Sequence, residues 1–241
     1  MEEEIAIFSD IHGNKEALIS ILNDIKKRNI KKVYCLGDTI GIGPNPKECL
    51  DLIIKNNVNM ILGNHELYYL RGTAIDKKAD SEQKEHNNWV YNTLNEKYKE
   101  FLNNCPLKIE FKLSNYKITM QHFLFKKESL AYPYEPIKVL YGSDINEKID
   151  SIDSNIIFIG HEHKVMKIIR NENKKLIDVG SSGCTKNEHT FYTILSLKDN
   201  KLKVRKVSLF YDREKFERLF QDANYPEKKT VGKIFFGIDI K

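Results

Sequence analysis

Ile5-Ala6-Ile7-Phe8-Ser9-Asp10-Ile11-His12-Gly13-Asn14 is an apolar run that opens into a polar loop. Four unbroken apolar residues suit a strand buried on both faces. Asn14 then caps a helix carrying Ala17, Leu18, Ile21, Leu22 and Ile25 on one side, the 3.6-residue period. Outward from this unit the pattern repeats. Val33 to Leu36 reads as a second strand, and Gly41-Ile42-Gly43-Pro44 as a rigid loop. Asn45 caps the next helix, with Pro46 at its first position and Glu48 placed for a capping box. Val58 to Leu62 is a third strand. Strand–helix–strand–helix–strand with short links predicts a parallel sheet with right-handed crossovers.

The alternation breaks between Glu66 and Pro106. A polar stretch, Asp76 to Glu85, leads to one helix with Trp89 or Val90, Leu94, Tyr98, Phe101 and Leu102 on one side. It reads as a helical excursion, about residues 66–105, over the sheet edge. Further strands are expected at Ile109 to Leu113, Tyr116 to Met120, Ile156 to Ile159, Lys164 to Ile169, Leu176 to Val179, Phe191 to Leu197 and Lys201 to Leu209. Short turns such as Ser114-Asn115, Asn171-Glu172-Asn173 and Asp199-Asn200 favour antiparallel pairing. Residues 145–151 read as a short helix, Asp212 caps a last helix through Phe220, and the tail from Tyr225 has no assignment. The expected fold class is α/β, a single domain over 1–241 of two stacked mixed sheets flanked by helices.

A chain of 241 residues fits one such domain. Its 41% hydrophobic content supplies a core and argues against disorder. Against 34 acidic residues stand 39 basic ones, a net +5 spread along the chain rather than gathered in a stripe. Nucleic acid is therefore not an expected partner. Cys35, Cys49, Cys105 and Cys184 show no CxxC spacing and read as small reduced residues. Met1-Glu2-Glu3-Glu4 has the wrong charge for a signal peptide, and no apolar run reaches membrane-spanning length. A cytoplasmic protein with no membrane partner is expected; the oligomeric state is left open.

Five of the seven histidines fall in short polar clusters. These are Asp10-Ile11-His12, Gly37-Asp38, Gly63-Asn64-His65-Glu66, Gln121-His122 and Gly160-His161-Glu162-His163. Asp10 and His12 lie two apart, so on an extended segment both point one way, and His161 and His163 repeat the spacing. Glu162 should then point away. Asp38 has two oxygens and can bridge two ions, while Asn64 offers a neutral carbonyl oxygen. Carboxylate with imidazole suits Mn, Fe, Zn, Co or Ni. In an open α/β sheet, ligands bind beyond the carboxyl ends of the strands, where these clusters sit.

In this order the clusters resemble the calcineurin-like metallophosphoesterase superfamily, from about Ile5 to Ser181. Gly41-Ile42-Gly43-Pro44-Asn45-Pro46 and Asp178-Val179-Gly180-Ser181 resemble its small bacterial and archaeal members, including asymmetric diadenosine-tetraphosphate hydrolases. The resemblance implies an αββα sandwich and a dinuclear site. One divalent ion would use Asp10, His12, Asp38 and His163; the other would use Asp38, Asn64, His122 and His161. His65 matches the family's non-ligand catalytic histidine, and the implied reaction is attack on phosphorus by a hydroxide activated between the ions. Two positions depart from the pattern: Phe123 follows His122 where glycine is usual, and Asp178-Val179 replaces Asn-Pro. Manganese is a natural occupant. The implied substrate is a small phosphorylated molecule or nucleotide. A broad phosphodiesterase and a phosphoprotein phosphatase are the rivals, ahead of a non-catalytic scaffold or a nuclease. Arg71 is a candidate phosphate grip. Lys126 and Lys127 read as solvated charges, Tyr68, Tyr69, Tyr132 and Tyr134 as packing, and His86 and His189 as surface residues.

Overall fold

A computed structural model describes residues 3–71, 81–124, 144–163, 166–171, 174–224 and 226–240. Lys126, Lys127, Tyr132, Tyr134 and the turn at 172–173 lie outside them. The first sheet contains β1 (Glu3–Phe8), β2 (Lys32–Cys35), β3 (Asn59–Met60), β9 (His189–Lys198) and β10 (Lys201–Phe210), ordered β10-β9-β1-β2-β3. The second contains β4 (Lys108–Leu113), β5 (Tyr116–Gln121), β6 (Ile156–Ile159), β7 (Lys167–Asn171) and β8 (Lys174–Asp178), ordered β4-β5-β6-β8-β7. Both sheets are mixed. β1, β2 and β3 run parallel, with β9 antiparallel to β1. In the second sheet β5, β6 and β8 are parallel to one another, so this sheet too is mixed, as expected. Antiparallel pairing holds for β4–β5, β7–β8 and β9–β10.

Strand alternation sorts each side chain into a layer. Along β1, Ile5 and Ile7 enter the core between the sheets with Leu36, Ile118, Met120 and Phe158. Ala6 and Phe8 face the opposite way, onto the helices α1 (Lys15–Lys27) and α2 (Pro46–Lys55). On the outer face of the second sheet, Ile145 and Ile149 of α6 (Asp144–Asp150) pack with Ile157 and Ile159. The result is helices, sheet, sheet, helix.

The Asn14 cap forms, its side-chain oxygen accepting the Ala17 N–H at 3.0 Å. Asn45 holds the N-cap position of α2 but makes no side-chain capping bond, so the expected capping box does not close on it. Its own N–H donates instead to the Gly13 carbonyl at 3.1 Å, tying this helix start to the first loop. Within the excursion, the single helix expected to carry Val90 through Leu102 is two. After α3 (Asn64–Arg71) come α4 (Ser81–Thr93) and α5 (Glu96–Asn103), separated because Asn95 takes an extended backbone, φ −106° and ψ 176°. Val90, Leu94, Tyr98 and Leu102 still bury one apolar face against the first sheet's helix layer. Tyr69 packs there on Tyr91. His86 is buried, not on the surface, because the unassigned tail covers it: its Nδ1 donates to the Pro226 carbonyl at 3.2 Å. The tail folds as α8 (Lys228–Val231) and a π-turn (Gly232–Phe236), and Phe236 fills a fully buried ring cluster with Phe216 and Phe220 of α7 (Arg213–Asp222).

Candidate metal centre

Six strands that run parallel within their sheets deliver the polar clusters to one edge. β1 ends before Asp10 and His12, β2 before Asp38, β3 before Asn64, β5 before His122 and β6 before His161 and His163, while β8 leads to Ser181. Backbone bonds lace the loops together beyond the strand ends. The Asp10 N–H donates to the Gly37 carbonyl at 3.0 Å, that of His12 to Asp38 at 2.9 Å, and that of Gly160 to His122 at 3.0 Å. The His161 N–H donates to both Asp10 carboxylate oxygens, each at 3.1 Å.

The side chains converge in two groups that share Asp38. In the first, His163 Nε2 lies 3.3 Å from Asp10 Oδ1 and 2.8 Å from His12 Nε2, which is 3.6 Å from Asp38 Oδ2. In the second, His122 Nε2 lies 3.2 Å from both Asp38 Oδ2 and Asn64 Oδ1, and His161 Nδ1 is 2.9 Å from that same Asn64 oxygen. His122 Nδ1 is 2.6 Å from the Leu36 carbonyl, and His12 Nδ1 3.3 Å from that of Ile40. A carbonyl only accepts, so both Nδ1 atoms carry a hydrogen and both Nε2 atoms are turned into the cluster. Lone pairs of two carboxylates, an amide oxygen and imidazoles facing one another at these distances repel unless a proton or a cation stands among them. This donor set fits divalent ions of the borderline class, and Asp10, His12, Asp38, Asn64, His122, His161 and His163 could hold them.

Burial opposes charge on Asp10 and Asp38, yet the surrounding imidazoles outweigh it and hold both carboxyls well below the usual carboxylate range. Against the same burial, the two carboxylates raise His122 to about 9. Burial dominates at His65 and His161, pushing them down to about 3 and about 4.

The convergence does not come from strand alternation, as the Asp-x-His and His-x-His spacings suggested. Asp10, His12, Asp38, His161 and His163 all adopt left-handed backbones, with φ between 46° and 74°. Such residues cost of order 1 kcal/mol or more each and persist only where the surroundings impose them. Glu162 is consequently not placed by alternation either. Close packing enforces the geometry: a Cβ on Gly160 would strike Ser9 and fall 2.5 Å from Asp10 Oδ2. Gly41, at φ +87°, similarly leaves room for the His65 imidazole.

His65 sits against this cluster. Its N–H donates to Asp38 Oδ1 at 2.9 Å, and its ring meets those of His12 and Tyr68 edge-on at 5.0 and 5.7 Å. Arg71 is exposed at the far end of α3, about 9 Å along the helix from His65. The structure does not bring it into the cluster. His189 lies apart, beside Glu188 and Phe210.

One residue that sequence reading passed over is Glu66. Its fully buried carboxylate accepts the N–H groups of Asp38, Thr39, Ile40 and Gly63 at 2.8 to 3.2 Å. Burial and the nearby Asp38 push its carboxyl up to about 7 against those four donors. Each buried donor left unpaired costs roughly 1–3 kcal/mol. Glu66→Ala is therefore expected to lose about 3 kcal/mol of stability after partial rehydration, read from the denaturant midpoint. An unchanged midpoint would show that the clamp is dispensable.

Residues 4–200 match the calcineurin-like phosphoesterase superfamily domain. The chain belongs to that superfamily. It is 32% identical over 237 residues to an uncharacterized protein of Methanocaldococcus jannaschii, covering 90% of this chain and 92% of the relative. A symmetrical bis(5'-nucleosyl)-tetraphosphatase of Wigglesworthia glossinidia brevipalpis is 38% identical over 82 residues, 32% of this chain and 30% of that one. Among solved structures, a hypothetical protein of Pyrococcus horikoshii superposes with TM-score 0.80 at 18% identity, covering 98% of this chain and 99% of the other. A metallophosphoesterase of Sphaerobacter thermophilus gives 0.70 at 20% identity, covering 98% and 100%. These two share the fold.

Proposed function

We propose that this chain is a dinuclear metal-dependent phosphoesterase, cleaving phosphate ester or anhydride bonds of a small phosphorylated molecule or nucleotide. The carrying observation is Asp38 Oδ2, which faces His12 Nε2 at 3.6 Å and His122 Nε2 at 3.2 Å and so belongs to both donor groups. Asp10, His12, Asp38 and His163 would hold one ion; Asp38, Asn64, His122 and His161 would hold the other. Bound Mn, Fe, Zn, Co or Ni would neutralise phosphoryl charge and supply a nucleophilic water near neutral pH.

The protein's own groups do the rest. Asn64 and the neutral imidazoles limit the negative charge at the site to two carboxylates, so a doubly loaded centre remains net positive and attracts an anionic phosphoryl group. His65, which burial keeps neutral, offers a ring N–H to a substrate oxygen. That favours an orienting role over delivery of a proton from an imidazolium. Leu36 and Ile40 fix the ligand tautomers through their carbonyls, as outer partners of metal-bound histidines do. The domain is taken as one unit over 1–241, with the 66–105 helices flanking the site, in a cytoplasmic setting. No helix among the described residues is long and apolar enough to cross a membrane.

The 82-residue likeness to a symmetrical bis(5'-nucleosyl)-tetraphosphatase supports a dinucleoside polyphosphate as the sharpest substrate reading. A broad phosphodiesterase or phosphoprotein phosphatase on the same centre is the rival. Rates on p-nitrophenyl mono- and diesters, dinucleoside polyphosphates and phosphopeptides separate them; a marked preference for phosphopeptides would sink the nucleotide reading. Removing metal with a chelator is expected to abolish hydrolysis on every substrate, and adding back a divalent ion to restore it. Full activity in the chelator-treated, metal-free protein would refute the metal dependence.

A further inference from the structure

We propose that Cys184 is a sulfur ligand to the ion held by His12 and His163. This rests on the two-ion reading above and extends it to the identity of the metal. Cys184 Sγ and one ring nitrogen each of His12 and His163 lie within 4.8 Å of one another, a grouping able to hold an ion. Neither histidine is remote from the site, since their Nε2 atoms meet at 2.8 Å beside Asp10.

The loop after β8 is fastened so that Cys184 stays in place. The Gly183 N–H donates to the Asp10 carbonyl at 3.0 Å, and its carbonyl accepts from Asn14 Nδ2 at 2.9 Å. Ser181 Oγ donates to the same Asp10 carbonyl at 2.7 Å and accepts the Cys184 N–H at 2.9 Å. The segment carrying the thiol is thus bolted to the segment carrying Asp10 and His12. Among the described residues, the other cysteines have no such company. Burial drives the thiols of Cys35 and Cys49 strongly up, and that of Cys105 to about 12.

A thiolate beside imidazoles and carboxylates shifts preference toward softer ions such as zinc, cobalt or iron(II), away from manganese and magnesium. Binding requires the thiol to lose its proton to solvent as the metal–sulfur bond forms.

The test is cobalt(II) loading of the intact chain, followed by optical spectroscopy and residue-resolved alkylation. A sulfur-to-cobalt charge-transfer band is expected in the near ultraviolet, lost in Cys184→Ser. Loading is also expected to shield Cys184 from iodoacetamide while Cys105 reacts as before. Cobalt bound without the band, or with Cys184 alkylated as fast as in the metal-free protein, overturns this ligand and leaves the two-ion reading standing. A chain that takes up no cobalt overturns both. The wild-type spectrum and shielding decide the matter even where the serine variant folds poorly.

Discussion

Asp38→Ala is expected to empty both metal positions together and to lower hydrolysis at least about a thousandfold, since metals supply several kcal/mol of charge stabilisation. The reason is geometric. One carboxylate oxygen faces a histidine of each donor group, at 3.6 and 3.2 Å, while the other accepts the His65 N–H at 2.9 Å. Removing it strips a ligand from each position and leaves His122 without its nearest anion. A change at Asn64 or His161 should instead weaken one position and spare most of the other. Metal content by elemental analysis, measured beside the rate, separates these cases. If Asp38→Ala retained one tightly bound ion per chain, the shared-carboxylate reading would fail.

His65→Ala should behave in the opposite way, keeping the metals and losing turnover by about 10²–10³-fold, the cost of removing one positioned hydrogen-bond donor. The ring packs edge-on against His12 at 5.0 Å but belongs to neither donor group. Its link to the centre is the backbone N–H bond to Asp38, which alanine preserves. The deleted imidazole is held neutral by burial. The loss should therefore not be recovered by lowering the pH, as it would be if an imidazolium were merely being replaced by solvent acid. Wild-type kcat in the alanine variant, with metals intact, would remove His65 from the mechanism.

Which side chains converge was largely legible, because each polar cluster follows its own strand in the sequence. Asp10, His12, Asp38, Asn64, His122, His161 and His163 each follow an apolar run, and the structure gathers all seven at the carboxyl ends of strands. What aims them was not legible. The spacing of Asp10 and His12 suggested extended alternation, whereas both sit in left-handed turns that tertiary packing imposes. Nor does spacing reveal Glu66, whose four backbone partners come from loops up to 28 residues away. Cys184 looked like an ordinary small core residue for the same reason: 21 positions separate it from His163, and only the β8–β9 loop closes the gap. The split of α4 from α5 was hidden because Val90, Leu94, Tyr98 and Leu102 keep one apolar face across the break. The tail carries few periodic residues, yet Phe236 is fully buried because α7 offers it a ring-lined slot.

The most direct test is to count divalent ions per chain while hydrolysis of a phosphodiester is followed through stepwise metal removal. Two ions per chain are expected at full activity, with the rate vanishing as they leave. Undiminished hydrolysis by a chain holding none would contradict the two-ion phosphoesterase.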